Sequence, residues 1–119
     1  MIIFVSIIIS TDCESYGYHG DDGGIFHGNG HKFDEYGPAF GPGDIVGCGL
    51  DYIKKEIFYT LNGSYLGPAF LDVNIGSSFS PTVGIDAYVS VTFNFGCKPF
   101  EYDLASHIDM HSSPVSTTV

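Results

Sequence analysis

The residues most able to do chemistry lie in a glycine-rich segment, residues 19–31, which contains three His and two adjacent Asp. Four of its side chains are suitable ligands for a first-row metal: His19, Asp21, Asp22 and His27. Their spacing has neither the Asp-x-Asp-x-Asp alternation of a calcium loop nor the His-x-x-x-His pattern of a helical zinc site. A turn whose Asp side chains cap their own backbone is the simpler explanation. A metal-binding protein or enzyme that uses this segment is therefore the alternative function.

Other catalytic arrangements are missing from the sequence. Asp21 and Asp22 are neighbours, and neighbouring side chains on an extended chain point in opposite directions, so they do not form a ready carboxylate pair. There is no Gly-x-Ser-x-Gly nucleophile motif and no glycine-rich phosphate loop with a Lys. Because the chain has no Arg, a bidentate phosphate clamp is missing too. We therefore expect no catalytic residue, no metal and no cofactor.

The charge of the chain argues against two classes of partner. Its 119 residues carry 4 Lys and Arg against 14 Asp and Glu, which gives a formal net charge of −10. Binding to nucleic acid or to an anionic membrane depends on cationic side chains, so neither partner is expected. The hydrophobic content of 44% and the aromatic content of 15% are too high for a disordered acidic tail. The composition instead predicts a compact, β-rich protein of one domain with tight turns.

We interpret the cysteines and the apolar residues at the start of the chain as structural features. Three Cys are an odd number for a disulfide framework, and Cys48 and Cys97 lie in apolar surroundings, so both are expected to be buried thiols. Residues 2–9 are apolar but far shorter than the roughly 20 residues of a membrane span. A signal peptide requires a basic residue near its start, but no Lys or Arg precedes Lys32 in this chain. We expect a buried strand at 2–9, with a secretion signal or a membrane-associated segment as the alternative.

Turn residues divide the middle of the chain into short strands. The apolar runs 45–50 and 56–61 are separated by a short polar turn, and we expect them to pair as a hairpin. Asn62-Gly63 is a favoured two-residue turn because both residues tolerate positive φ. It leads into a third strand at 64–70, so the sequence predicts a three-stranded antiparallel meander.

Two further strands are predicted after the meander, at 79–85 and 90–95. In the second of these, Val91, Phe93 and Phe95 alternate with polar residues. This period of two is typical of a strand with one buried and one solvated face, so we expect the three apolar side chains to be buried.

Two glycines in the first strand of the meander, Gly47 and Gly49, lie on the same face of that strand. A bulky group can approach the backbone closely at such positions. We expect an aromatic side chain of the neighbouring strand, Phe58 or Tyr59, to fill this space, with a ligand slot as the alternative.

The order of motifs along the chain resembles that of a SPRY domain, and most closely the Ran-binding-protein-M-like group. The loop shared with that group is Ser15-Tyr-Gly-Tyr-His-Gly-Asp-Asp-Gly23. The motifs that follow it are Tyr36-Gly-Pro-Ala-Phe40, Gly43-Asp-Ile-Val-Gly-Cys-Gly-Leu-Asp51, Ile57-Phe-Tyr-Thr-Leu-Asn-Gly63, Leu66-Gly-Pro-Ala-Phe70, Ser80-Pro-Thr-Val-Gly84, Phe93-Asn-Phe-Gly96 and Pro99-Phe-Glu-Tyr-Asp-Leu104. The resemblance covers about residues 15–104, and an ordered series of motifs is far more specific than any single one.

The resemblance implies an all-β fold, an antiparallel bent β-sandwich of the SPRY type that binds proteins or peptides through loops at one rim. It implies a non-catalytic role in the cytoplasm and also in the nucleus. Members of the group also carry LisH, CTLH and CRA helical segments, which we do not expect after residue 104, and serve as scaffolds in a ubiquitin-ligase complex. A scaffold or substrate-recognition part of such a complex is therefore the implied biological setting.

The resemblance also places the ligand surface on two loops. The residues that it assigns to peptide binding are Tyr18, His19, Asp21, Asp22, Phe26, Asp86 and Tyr88. Exposed Tyr and Phe act as anchors at low entropic cost, and Asp selects Lys, Arg or backbone N–H donors. With a net charge of −10, the expected partner is a basic protein or peptide segment. For each Tyr, ordinary packing with its hydroxyl in water is the alternative.

The chain departs from the family pattern at its start. Only 14 residues precede the shared loop, where the family has several strands. Residues 1–14 are therefore interpreted as an atypical apolar strand, residues 15–104 as the C-terminal portion of a SPRY domain, and residues 105–119 as a flexible tail. Because missing strands leave apolar faces and sheet edges uncovered, we expect a partial domain that is marginally stable on its own.

Overall fold

The computed structural model describes residues 2–9, 14–28, 31–73, 79–86, 91–111 and 115–118. The elements in these ranges are β1 (Ile2–Ile9), β2 (Glu14–His19), β3 (Gly24–His27), β4 (His31–Glu35), β5 (Val46–Asp51), β6 (Glu56–Leu61), β7 (Ser64–Phe70), β8 (Phe79–Asp86), α1 (Leu104–His111) and β9 (Val115–Thr118). All the strand pairings between them are antiparallel. The prediction of an all-β antiparallel fold is confirmed. Within these ranges, no helix has the length and apolar character needed to cross a membrane.

The strands form two sheets, one in each of two compact units of the chain. The first unit contains Met1–Asp44 and Ile75–Val91, and its five-stranded sheet has the order β4-β3-β2-β1-β8. The second unit contains Ile45–Asn74 and Thr92–Val119, and its four-stranded sheet has the order β7-β6-β5-β9.

In the first unit, β1 lies inside the sheet and pairs with β2 on one side and with β8 on the other. Its Phe4 is opposite His19 of β2 and opposite Gly84 of β8. A run of Ile, Val and Phe, interrupted only by Ser6, suits a strand that has a neighbour on each side. The structure therefore has a strand at residues 2–9, where the apolar start predicts one.

In the second unit, β5, β6 and β7 form the predicted meander. β5 pairs with β6 in a register that places Gly49 opposite Phe58, and β6 then pairs with β7. The turn between them has φ of 51° at Asn62 and 84° at Gly63, as a two-residue turn with two left-handed positions requires. The prediction of this meander is confirmed.

Phe58 is the side chain that fills the space above Gly49. A Cβ added at Gly49 would lie 2.1 Å from Cζ of Phe58, which leaves no room for any other residue there. The opposite face of the same strand pair is buried through Leu50, Ile57 and Tyr59. The prediction that an aromatic ring of the neighbouring strand lies on this glycine is confirmed.

The C-terminal part of the second unit is anchored by His107 of α1, a side chain that is only 3% exposed. Its ring stacks on Phe58, with a centroid distance of 4.6 Å and an interplanar angle of 18°. Its Nδ1 is hydrogen-bonded to Oη of Tyr102 at 2.6 Å. The N-terminus of α1 is capped by Asp103, whose Oδ1 accepts the Ser106 N–H at 3.1 Å.

For the described residues 105–111 and 115–118, the structure corrects the prediction of a flexible tail at 105–119. The structure has α1 over Leu104–His111, and β9 pairs with β5, placing Thr118 opposite Cys48. One buried His and a main-chain pairing hold this part of the chain, and neither produces the periodic apolar pattern that identifies a helix or strand in a sequence.

The strand predicted at 90–95 is also wrong for residues 91–95, which form no strand. Phe93 is 47% exposed and Phe95 is 57% exposed, and their rings stack on each other at 5.8 Å. Alternation of apolar residues predicts a buried face only where a neighbouring strand pairs with the segment. Cys97, two residues after Phe95, is exposed, so its predicted burial is wrong, while the burial of Cys48 is confirmed.

Candidate peptide-binding site

The candidate site is the turn that joins β2 to β3, residues Gly20–Gly23, here called the acidic loop. It is closed by a hydrogen bond in which Gly23 N–H donates to the His19 carbonyl at 3.0 Å. Gly23 has φ of 72°, and a Cβ at this position would lie only 2.0 Å from the Gly37 carbonyl oxygen. Only glycine meets both requirements. Gly23, which ends the Asp-Asp-Gly sequence, therefore determines the shape of the loop.

A second segment, residues 36–40, holds the acidic loop from one side. The N–H groups of Tyr36 and Gly37 donate to the Gly23 carbonyl at 3.2 and 3.0 Å. Phe40 N–H donates to the Gly20 carbonyl at 2.9 Å. Both ends of the loop are therefore fixed through main-chain hydrogen bonds, and Asp21 and Asp22 between them are exposed.

Tyr18 contributes to the same support from inside the unit. Its side chain is 0% exposed, and its hydroxyl donates to the Pro38 carbonyl at 2.5 Å. Its ring contacts Phe40 at a centroid distance of 4.8 Å and Tyr36 edge-on at 5.3 Å. Burial, with the negative charge of Asp44 nearby, raises the pKa of Tyr18 to about 12.

The expectation that Tyr18 is an exposed anchor is therefore wrong. The alternative of ordinary packing with a solvated hydroxyl is not correct either, since this hydroxyl is bonded to the Pro38 carbonyl. Side chains alternate along β2, and Tyr18 is opposite the buried Ile25 of β3, so it belongs to the core-facing side of the hairpin. Its position supports a structural role beneath the loop.

Asp21 and Asp22 are both exposed at the tip of the acidic loop. Oδ1 of Asp22 accepts the Gly24 N–H at 2.8 Å, which is the backbone-capping contact that the sequence suggests for an Asp-Gly turn. This contact orients the Asp22 carboxylate while the residue stays exposed. Two carboxylates on a fixed loop can attract a cationic side chain or accept hydrogen bonds from N–H donors.

His19 and Phe26 form a stacked pair beside the acidic loop, called here the His19–Phe26 stack. Their ring centroids are 3.8 Å apart, with an interplanar angle of 20°, and both side chains are half-buried. Burial lowers the pKa of His19, and the charges of Asp21 and Asp22 partly oppose this shift. Since the ordinary pKa of His is about 6.5, the ring is uncharged at neutral pH and serves as an aromatic surface.

The two remaining predicted residues lie near the end of β8. Asp86 is the last residue of β8 and is opposite Ile2 of β1, and two residues further along β1 Phe4 is opposite His19. The register thus places Asp86 at the same end of the sheet as the acidic loop. Tyr88 lies outside the described residues.

The structure thus brings together His19, Asp21, Asp22 and Phe26, and it brings the backbone of Asp86 to the same sheet end. Their assignment to peptide binding stays a prediction. Sequence reasoning missed the support from residues 36–40, although the Gly-Pro-Ala-Phe motif that provides it was visible. The local signal was the Asp-Asp-Gly sequence, because glycine allows both a positive φ and the close approach of another backbone segment.

The metal-binding alternative gains no support from the described geometry. Among the residues that the structure describes, no cluster of three or more His, Cys, Asp or Glu is arranged to hold a metal ion. His27 instead stacks on Tyr16, with ring centroids 4.3 Å apart.

Comparison with known proteins identifies the family. Residues 5–98 match the SPRY domain family, so the match begins within β1. A Drosophila melanogaster protein named Ran-binding proteins 9/10 homolog is 44% identical over 93 residues, which cover 77% of this chain and 9% of that protein. Xenopus laevis Ran-binding protein 9 is 40% identical over 109 residues, which cover 91% of this chain and 19% of that protein.

A third relative has a different kind of name. The Dictyostelium discoideum protein called dual specificity protein kinase splA is 42% identical over 93 residues, which cover 74% of this chain and 4% of that protein. The chain therefore spans less than a fifth of the length of each of these three relatives.

Proposed function

Because this chain belongs to the SPRY domain family of protein-interaction modules, we propose that it recognises a basic segment of a partner protein through the acidic loop. The observation that carries the proposal is the fixed loop itself. Main-chain hydrogen bonds from residues 36–40 hold Gly20 and Gly23, so that Asp21 and Asp22 are exposed on a rigid turn. A rigid loop loses little conformational entropy on binding, which favours recognition.

The proposed mechanism is non-catalytic recognition. The carboxylates of Asp21 and Asp22 attract a Lys or Arg side chain, and the adjacent His19–Phe26 stack provides an aromatic surface for its methylene groups or its charged end. The net charge of −10 adds long-range attraction for a basic partner. Asp86 lies at the same sheet end and is proposed as a further acidic contact.

We also propose the biological setting that the resemblance implies. The module acts as a scaffold or substrate-recognition part of a ubiquitin-ligase-type complex in the cytoplasm or nucleus. The proposal rests on the resemblance to the Ran-binding-protein-M-like group, and the relatives named Ran-binding protein 9 agree with that resemblance. The thiols of Cys48 and Cys97 are not disulfide-bonded, which is compatible with a reducing compartment.

The test compares short peptides of alternating Gly and Arg with peptides in which Gln or Glu replaces Arg. We expect the chain to bind the Arg peptide, and Asp21→Asn with Asp22→Asn to weaken binding roughly tenfold by fluorescence anisotropy. The Asn replacements keep the size of each side chain and an acceptor for Gly24 N–H. They therefore change the charge of the loop and preserve its shape.

The matched control is Asp72→Asn with Glu101→Gln, which removes two negative charges from exposed residues of the second unit. We expect this control to change binding less than about twofold, through the net charge alone. Equal weakening by both double variants would show that the net charge, and not the acidic loop, attracts the peptide.

A further inference from the structure

The second unit contains an apolar pocket that lies outside the proposed site. Its volume is about 60 Å³. The lining residues belong to β5 and β6, to the residue that precedes β5, and to the segment 94–104. The apolar side chains of the lining are Ile45, Val46, Phe58, Phe100 and Leu104, and Gly47 contributes only its backbone atoms.

Two polar side chains of the lining, those of Asn94 and Tyr102, are bonded within the chain. Asn94 bonds its own turn, because its Nδ2 donates to the Lys98 carbonyl at 3.0 Å and its Oδ1 accepts the Gly96 N–H at 3.0 Å. Oη of Tyr102 is bonded to His107. Among the described residues, no buried side-chain N or O atom lacks a hydrogen-bond partner. Water in the pocket therefore finds few partners, and an apolar group is favoured.

The size of the pocket limits its occupant to one small group. A cavity needs about 10–15 Å³ to hold one water molecule, so about 60 Å³ accepts a group of roughly four non-hydrogen atoms. This is the size of a leucine side chain. A whole cofactor or metabolite needs several hundred Å³ and does not fit.

The surroundings of the pocket point to an occupant that belongs to a peptide. Ile45 is in the lining and is 53% exposed, and the exposed rings of Phe93 and Phe95 flank the lining residue Asn94 in the sequence. An apolar surface of this kind can contact the chain on either side of an inserted side chain. Glu101 is the one charged residue in the described lining, so a cation next to the inserted group is favoured.

We propose that this pocket is a second recognition site, which takes a leucine-sized aliphatic side chain of a partner peptide that has Lys or Arg beside it. The site is separate from the acidic loop and shares no residue with it. Failure of one site therefore leaves the proposal for the other unaffected.

The test uses three blocked dipeptides with the full chain: acetyl-Leu-Lys-amide, acetyl-Ala-Lys-amide and acetyl-Leu-Glu-amide. Binding is followed through the backbone amide signals of Gly47 and Asn94 by heteronuclear NMR. We expect the Leu-Lys peptide to bind at least roughly tenfold more tightly than the Ala-Lys peptide, because the leucine side chain is larger and apolar. We expect the Leu-Glu peptide to bind more weakly than the Leu-Lys peptide, because its carboxylate is repelled by Glu101. Binding of the Leu-Lys peptide no tighter than that of either other peptide, or no shift at Gly47 and Asn94, would overturn the proposal.

Two variants separate occupancy of the pocket from unrelated effects. Gly47→Val places a side chain in the lining and should abolish the difference between Leu and Ala, whereas Ser64→Val, at an exposed position of β7, should preserve it. If Gly47→Val does not fold, Leu104→Ala decides the question, because it enlarges the pocket and should shift the preference from acetyl-Leu-Lys-amide to acetyl-Phe-Lys-amide. An unchanged preference in Leu104→Ala contradicts the assignment.

Discussion

The acidic loop of the first unit and the C-terminal segment of the second unit are both held in place, but by different groups. The loop is fixed by main-chain hydrogen bonds from Tyr36, Gly37 and Phe40, with Tyr18 beneath it. The C-terminal segment is fixed by side chains, through the contacts of His107 with Phe58 and Tyr102.

This difference decides what each region can offer a partner. Where the backbone provides the support, the side chains of Asp21 and Asp22 stay exposed and can contact a ligand. Where side chains provide the support, they are buried and bonded to one another, and what they leave available is an apolar pocket. The first region therefore suits recognition of charge, and the second suits recognition of an apolar group.

The largest effect is expected at Gly23, because its replacement disrupts the backbone support directly. Gly23→Ala combines left-handed φ with a Cβ only 2.0 Å from the Gly37 oxygen, and should lower the free energy of unfolding by about 3–5 kcal/mol. Urea denaturation measures the change. The matched control is Gly28→Ala, where φ is 76° but the space is open, so the cost should be about 1–2 kcal/mol. Equal costs at both glycines would mean that the close contact with Gly37 contributes nothing.

The next effect concerns the side-chain support of the second unit. His107→Ala removes a buried ring, its stacking on Phe58 and its bond to Tyr102, and should cost about 2–4 kcal/mol of unfolding free energy. Ile108→Ala, at the exposed neighbouring position of α1, is the control and should cost less than about 1 kcal/mol. A small effect of His107→Ala, comparable to that of Ile108→Ala, would show that the C-terminal segment is not held by this cluster.

A smaller effect is expected for Tyr18→Phe, which removes only the hydroxyl that donates to Pro38. Near pH 8 the loss should be about 1 kcal/mol. The pKa of Tyr18 is raised from 10.0 to about 12, so the folded state favours the un-ionised hydroxyl. The Tyr18 hydroxyl therefore makes its full contribution to the free energy of unfolding below pH 10, and this contribution is lost as the pH rises through 12.

The pH dependence gives this variant a separate readout. Between pH 10 and 12, the stability of the wild-type chain should fall more steeply than that of Tyr18→Phe, as measured by urea midpoints at each pH. Burial raises the pKa of Tyr65 and of Tyr102 too, so the variant should keep part of the slope. Identical slopes for the wild-type chain and Tyr18→Phe would show that the ionisation of Tyr18 does not affect the folding equilibrium.

The smallest effect is a change in the pKa of His19, which reports the charge of the acidic loop. Burial lowers this pKa, while Asp21 and Asp22 raise it. The variant Asp21→Asn with Asp22→Asn should therefore lower the pKa of His19 further, in an NMR titration of its ring. The control Asp72→Asn with Glu101→Gln should leave it nearly unchanged, and a rise in either variant would contradict the arrangement.

The parts of the fold that the sequence predicts well are those decided by local chemistry. The meander follows from apolar runs and the Asn62-Gly63 turn, since the turn alone brings neighbouring strands together. The aromatic ring that fills the space above Gly49 could be predicted, because the strand period fixes which residue of β6 is opposite this glycine.

The parts of the fold that the sequence predicts poorly depend on contacts between residues that are far apart along the chain. Tyr18 is buried because its hydroxyl meets a carbonyl twenty residues later in the chain, and nothing local to Tyr18 indicates that. Val91, Phe93 and Phe95 have the pattern of a strand, but they are exposed because the pattern does not specify a neighbouring strand. His107 lies in a stretch without apolar periodicity, so its role as an anchor could only be found in the structure.

The central claim is that the main chain, and not the acidic side chains, holds the loop. Amide hydrogen exchange of Tyr36, Gly37 and Phe40 tests it most directly, because these three N–H groups donate to the loop. We predict that all three exchange slowly, and equally slowly after Asp21→Ala with Asp22→Ala, which removes the side-chain acceptor of the Gly24 N–H. Exchange at the rate of an exposed amide, in the wild-type chain or only in the variant, would contradict the account.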